Sequence, residues 1–166
     1  RNMGGVLEFM DDVVRLVGAK LHVIRKRSGK RVSLVGWSLG GLYSRQLAAT
    51  YPDLVRQVIT LGTPFGEPPE ADMARWMQMA KAPLEVPLSI IWSKTDGFVH
   101  PKIACEREGP RTENIHVCSS HAGFGSNPLA FYIVADRLAQ PEHDWKPFER
   151  SGWRRLVYGT MPQHLD

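Results

Sequence analysis

Gly36-Trp37-Ser38-Leu39-Gly40, with Gly41 following, sets a serine in G-x-S-x-G spacing. A serine hydroxyl attacks carbon only when a base takes its proton and a carboxylate holds that base in the correct tautomer. Small residues two before and two after the serine allow a sharp turn that lifts the Ser38 hydroxyl clear in a strained conformation. The amide of Leu39, opening the next helix, then points toward a developing oxyanion. The competing reading is a glycine-rich turn whose serine merely caps a helix. What favours the nucleophile is that residues for the rest of a relay occur in suitable loops.

Asp96 follows an apolar run in Trp92-Ser93-Lys94-Thr95-Asp96-Gly97, and His121 follows another in Cys118-Ser119-Ser120-His121-Ala122-Gly123. Both are expected in loops beyond the C-terminal ends of strands, where open parallel sheets present their sites. His100 shares the Asp96 loop and is the rival base; His22 is expected in a helix, His116 in a strand, and His143 and His164 in the C-terminal tail. Asp53, in a helix-to-strand connection on the opposite rim, and Asp136, inside a helix, read as solvated charges, and Glu70 and Asp72 as first-turn residues of a helix. Cys105 and Cys118 lack the spacing of a zinc site and read as buried apolar thiols. The cycle needs no metal or organic cofactor.

These residues require particular elements to position them. Phe9, Val13, Leu16, Val17 and Ile24 recur at helical steps, predicting a helix from Gly5 to about Arg27, ended by Ser28-Gly29. Apolar runs predict strands at Val32–Val35, Val55–Leu61, Pro87–Trp92 and Ile115–Cys118. Helical spacing predicts Leu42–Tyr51, Pro101–Arg107 and Pro128–Ala139, the last started by the Asn127 cap and the proline after it. Strands alternating with helices give an α/β class with a predominantly parallel sheet and flanking helices. One domain is expected over residues 1–166, with a lid-like insertion at about 65–86 and a C-terminal extension at about 140–166 that folds back weakly.

Composition sets the remaining bounds. A chain of 166 residues, 43% hydrophobic and 23% charged, is globular rather than disordered, and no apolar run is long enough to span a membrane. With 2 cysteines there is no disulfide framework, and nothing at the N-terminus has the order of a secretory signal, so a cytoplasmic setting is expected. The net charge of +4 owes much to Lys20, Arg25, Lys26, Arg27, Lys30 and Arg31. That cluster complements the negative end of the first helix, and no nucleic-acid motif accompanies it.

Gly36–Gly40, Leu61–Phe65 (LGTPF), Asp96-Gly97 and Ser120-His121 together resemble the α/β-hydrolase superfamily, in particular bacterial esterase- and lipase-like members, over roughly Arg31 to Gln140. The resemblance implies a Ser38–His121–Asp96 triad acting on carboxylic esters or thioesters through an acyl-enzyme, with a small-molecule or lipid-like acyl ester as substrate. It leaves open acyl transfer on the same triad and a catalytically impaired binding module. An insertion after the second strand would overhang the nucleophile, so Trp37, Phe65, Met73, Trp76 and Met77 are pocket candidates, although the Met and Trp face could equally pack on the core. The complete fold has strands ahead of the nucleophile strand and draws a second oxyanion donor from a loop there. None is found here, so the fold is expected to be N-terminally truncated, with Val32–Val35 an exposed edge open to self-association.

Overall fold

The structure, a computed structural model, describes residues 4–65 and 83–158. The chain begins with α1 (Gly4–Ser28), then β1 (Val32–Trp37), α2 (Leu39–Thr50), β2 (Val55–Leu61) and β3 (Leu88–Trp92). It continues through a short α3 (Pro101–Ala104), β4 (Thr112–His116), a 3₁₀ turn (Ala122–Ser126), α4 (Pro128–Ala139) and α5 (Trp153–Tyr158). The strands form a parallel four-stranded sheet in the order β1-β2-β3-β4. Trp37 pairs with Leu61 and Trp92 with His116, so the strand ends, and the loops that leave them, share one rim.

Alternation along the strands divides the core between the two faces of the sheet. Val58, Leu88 and Ile90 pack with Met10, Val14 and Leu21 of α1 and Leu42 and Leu47 of α2. Their neighbours Ile59, Ile91 and Ile115 pack on the opposite face with Ala130 and Ile133 of α4 and with Phe148 and Tyr158. Helix α1 buries Met10, Val14 and Leu21, whereas Phe9, Leu16 and Ile24 are exposed. Arg25, Lys26 and Arg27 occupy its last turn, where cations offset the helix dipole.

Several expectations need correction. β1 runs on to Trp37 and α2 begins at Leu39, so the turn around Ser38 is tighter than the apolar runs implied. β4 lies at Thr112–His116 rather than Ile115–Cys118, and α3 stops at Ala104. The C-terminal extension does not fold back weakly: Phe148 and Tyr158 are buried, and Arg154 donates to Tyr132 Oη and Asp136 Oδ1. Asp136 is accordingly not a solvated charge but a partner of both Arg137 and Arg154. Helix α4 spans Pro128–Ala139 as expected, with the Asn127 side chain accepting from the N–H groups of Leu129 and Ala130. Met73, Trp76, Met77, Glu70, Asp72 and His164 lie outside the described residues, as does most of the lid-like segment. Among the described residues β1 is an edge strand, with Val35 46% and Trp37 47% exposed.

Candidate active site

Ser38 stands between β1 and α2 with φ 53° and ψ −125°, the one residue other than glycine with positive φ among those described. Neighbouring groups hold it there. Its N–H donates to the Leu61 carbonyl at 2.9 Å, and its own carbonyl accepts from the Thr63 hydroxyl at 3.0 Å and the Gly41 N–H at 3.0 Å. A Cβ on Gly36 would strike the Gly40 backbone, and one on Gly41 would strike the Thr63 side chain, while one on Gly40 would meet nothing within 4 Å. The close approach therefore depends on Gly36 and on Gly41, not on the second glycine of the pentapeptide. As the first residue of α2, Leu39 has an N–H without an intrahelical acceptor.

Asp96 lies beyond the end of β3 with its side chain 2% exposed. Its Oδ1 accepts the N–H groups of Phe98 at 3.0 Å and Val99 at 2.7 Å, which compensates the burial of a carboxylate. The His121 ring places Nδ1 2.9 Å from Asp96 Oδ2 and Nε2 3.0 Å from Ser38 Oγ. With Nδ1 protonated toward Asp96, Nε2 is free to accept the Ser38 proton. The His121 N–H also donates to the Asp96 carbonyl at 2.9 Å. The three residues thus form one continuous hydrogen-bonded relay at the rim.

Supporting groups escaped the sequence reading. Ser93 Oγ accepts from the N–H of Thr95 at 3.1 Å and of Ser119 at 3.0 Å, and Thr95 Oγ1 donates to the Ser119 carbonyl at 3.1 Å. These bonds lock the Asp96 loop to the His121 loop. A Cβ on Gly62 would fall 2.8 Å from Asp96 Oδ2, so the loop after β2 must also stay small. The only sequence signal for these positions is a run of short polar residues around Asp96.

The rival groups are otherwise engaged. His100 caps α3, its Nδ1 accepting from the Lys102 N–H at 3.3 Å. His116 packs edge-on against Trp92 with ring centroids 4.8 Å apart; burial, then Lys94 and Arg150, push its proton affinity below the ordinary imidazole range. His22 packs against Tyr51 in the same edge-on way. Asp53 is exposed. The cysteines are not both buried, because Cys118 is exposed and Cys105 only half-buried. Desolvation, then Glu108, push the Cys105 thiol up to about 12, so it is not a ready nucleophile near neutrality.

Trp37 lies against the His121 ring, with centroids 5.9 Å apart. Phe65 is 3% exposed, beneath the Arg45 guanidinium at 5.1 Å. It lines a cavity of about 500 Å³ with Arg45, Leu88 and Lys102. The LGTPF segment turns its phenyl ring inward, where removing its apolar surface from water is favourable. Among the described residues no cluster of three or more His, Cys, Asp and Glu side chains is placed to hold a metal ion, and no helix is long and apolar enough to cross a membrane.

Comparison with known proteins agrees with this architecture. A family model described as alpha/beta hydrolase fold matches residues 11–91. An atrochrysone carboxylic acid synthase, PKS4, of Calonarius odorifer is 40% identical over 68 residues, which are 41% of this chain and 4% of that protein. Aspergillus fumigatus lipase B superposes with TM-score 0.64 at 19% identity over 76% of this chain and 41% of that one. Bacillus licheniformis lipase BlEst2 superposes with TM-score 0.60 at 20% identity over 76% of this chain and 73% of that one. The chain therefore spans less than half the length of the fungal synthase and of the Aspergillus lipase.

Proposed function

We propose that this chain, which has the α/β-hydrolase fold, is a serine hydrolase that cleaves carboxylic esters or thioesters through an acyl-enzyme. The observation that carries the reading is the relay from Ser38 Oγ through His121, 3.0 Å and 2.9 Å at its two links, to a buried Asp96. Ser38 Oγ attacks the acyl carbon as its proton passes to His121 Nε2, and Asp96 stabilises the imidazolium. The negative charge moves to the former carbonyl oxygen, facing the Leu39 N–H. Collapse of this intermediate breaks the bond to the leaving oxygen or sulfur, which takes the proton from His121. Water, deprotonated by His121, then releases the acid and restores the Ser38 hydroxyl.

The lipases among the structural neighbours, and Leu39, 46% exposed and next to Ser38 in the chain, favour a moderately apolar acyl group. The test is labelling of the purified chain with a fluorophosphonate, which reports an activated serine without requiring the natural substrate. Wild-type protein labels, and Ser38→Ala abolishes labelling; a Ser38→Ala variant that still labels refutes the assignment.

The β1 edge, which no strand among the described residues covers, and the half exposure of Val35 and Trp37 also support association of copies of the chain through that edge. Sedimentation velocity over a concentration series should show a dimer that Val35→Lys dissolves. A monomer throughout the series overturns this.

A further inference from the structure

We infer that Trp37 and Phe98 are positioning residues that hold the His121 imidazole and stabilise the charge it takes up as Ser38 attacks, an assignment that rests on the hydrolase reading above. Two aromatic rings lie against this one imidazole. The Trp37 ring is 5.9 Å from it at an interplanar angle of 40°, and the Phe98 ring is 5.4 Å away at 42°. Phe98 is 84% exposed, so core packing does not account for its position.

Trp37 does more than lie alongside. Its indole N–H donates to the His121 carbonyl at 3.1 Å, while the His121 N–H donates to the Asp96 carbonyl at 2.9 Å. The peptide groups on both sides of the His121 Cα are thereby fixed, one through Asp96 and one through the residue preceding Ser38. Nucleophile and base are tied together by a bond that involves neither reacting atom. Such a tie matters because misplacing reacting groups by about 1 Å can cost on the order of 10²-fold in rate.

The ring faces act at a different moment. When Nε2 takes the Ser38 proton the imidazole becomes a cation, and a cation within about 6 Å of an aromatic centroid is stabilised by the ring's negative face. A neutral imidazole gains less from such rings. Their effect is therefore concentrated in the charged transition state, where it raises kcat and leaves ground-state binding unchanged.

Steady-state hydrolysis of a 4-nitrophenyl ester and NMR of the His121 Nδ1 proton, with the full chain, test this in parallel. Phe98→Leu keeps apolar bulk but loses the ring and should lower kcat about twofold to fivefold, with KM unchanged. Phe98→Tyr restores the ring and the rate. Trp37→Phe keeps a ring and loses the donor, for a loss of about fivefold; Trp37→Leu loses both and should fall on the order of 10-fold or more. In Trp37→Leu the Nδ1 proton should also exchange faster with solvent. A rise in KM with kcat preserved would show instead that the rings contact substrate, and a Phe98→Tyr variant as slow as Phe98→Leu would exclude the ring effect. Either result overturns the inference. If the wild-type chain neither turns over ester nor labels, the hydrolase reading fails, and the exchange rate alone decides the tie: faster in Trp37→Leu upholds it, unchanged overturns it.

Discussion

Asp96 and Glu113 pose the same physical problem and answer it differently. Both are buried carboxylates on the same half of the sheet, with side chains 2% and 5% exposed. Each accepts backbone N–H donors and faces a basic side chain: Asp96 has Phe98, Val99 and His121, and Glu113 has Phe148 and Arg137. A serine completes each group. Ser89 donates to Glu113 Oε1 at 2.6 Å, whereas Ser38 is reached only through the far nitrogen of the His121 ring. The difference lies in the basic partner. A guanidinium keeps its protons at any accessible pH and has no lone pair to offer, so the Glu113 cluster can only hold. An imidazole can take a proton on one ring nitrogen while holding another on the second, so the Asp96 cluster has the groups that the proposed proton relay needs.

Position along the strands fits the same division. Glu113 lies near the start of β4, where Arg137 also donates to the Lys146 carbonyl and its own carbonyl accepts from Gln57 at 3.0 Å. Asp96 lies past the far end of β3, open to solvent through His121, whose side chain is 15% exposed. One cluster fastens the C-terminal segment to the sheet; the other meets what approaches the rim.

The sharpest way to break this contrast is to remove one partner from each cluster and measure rate and stability together. Asp96→Asn should lower kcat on the order of 10⁴-fold, because the imidazole no longer holds its proton on Nδ1. Arg137→Ala should leave kcat per folded molecule nearly unchanged and cost about 3–5 kcal/mol in urea unfolding, because Glu113 would stay buried without its cation. If Arg137→Ala slows turnover of folded protein as much as Asp96→Asn does, the two clusters are not separate in function. If it costs under ~1 kcal/mol, Glu113 is hydrated in solution and the fastening role fails.

The two clusters also differ in how legible they are. Ser38, Asp96 and His121 could be picked out because each follows an apolar run, and because turn residues such as Gly36 and Gly97 mark the loops that present them. The Glu113 cluster could not be read, and it concealed part of the fold as well. Thr112, Glu113 and Asn114 open β4 with polar side chains, so a search for apolar runs starts the strand at Ile115. The burial of Glu113 makes sense only once Arg137, Ser89 and Phe148 converge on it from elsewhere in the chain. The C-terminal extension looked loose for the same reason: Pro147-Phe148-Glu149 has no period, and its hold comes from single contacts with distant elements. Gly41 illustrates the limit within the motif itself. It lies outside the G-x-S-x-G pattern, and the need for it comes from Thr63 on the neighbouring loop.

A smaller effect sharpens the comparison from the stability side. Ser89 sits in an ordinary strand, but Ser38 is held at φ 53° and ψ −125°, a region glycine enters freely and other residues enter at a cost of about 1–3 kcal/mol. The same bend aims the hydroxyl at His121, so under the proposed function stability and reactivity are opposed at this residue. Ser38→Ala removes the hydroxyl and keeps the strain; Ser38→Gly removes both. Both variants should be inactive, but the glycine variant should be more stable than the alanine variant by about 1 kcal/mol in urea unfolding, after allowing for the greater entropy glycine gives the unfolded chain. At Ser89 the same pair should run the other way, because glycine weakens a strand interior by roughly 0.5–1 kcal/mol relative to alanine. Should Ser38→Gly prove less stable than Ser38→Ala, the bend at Ser38 carries no strain in solution, and the backbone there is held by its hydrogen bonds to Leu61 and Thr63 alone.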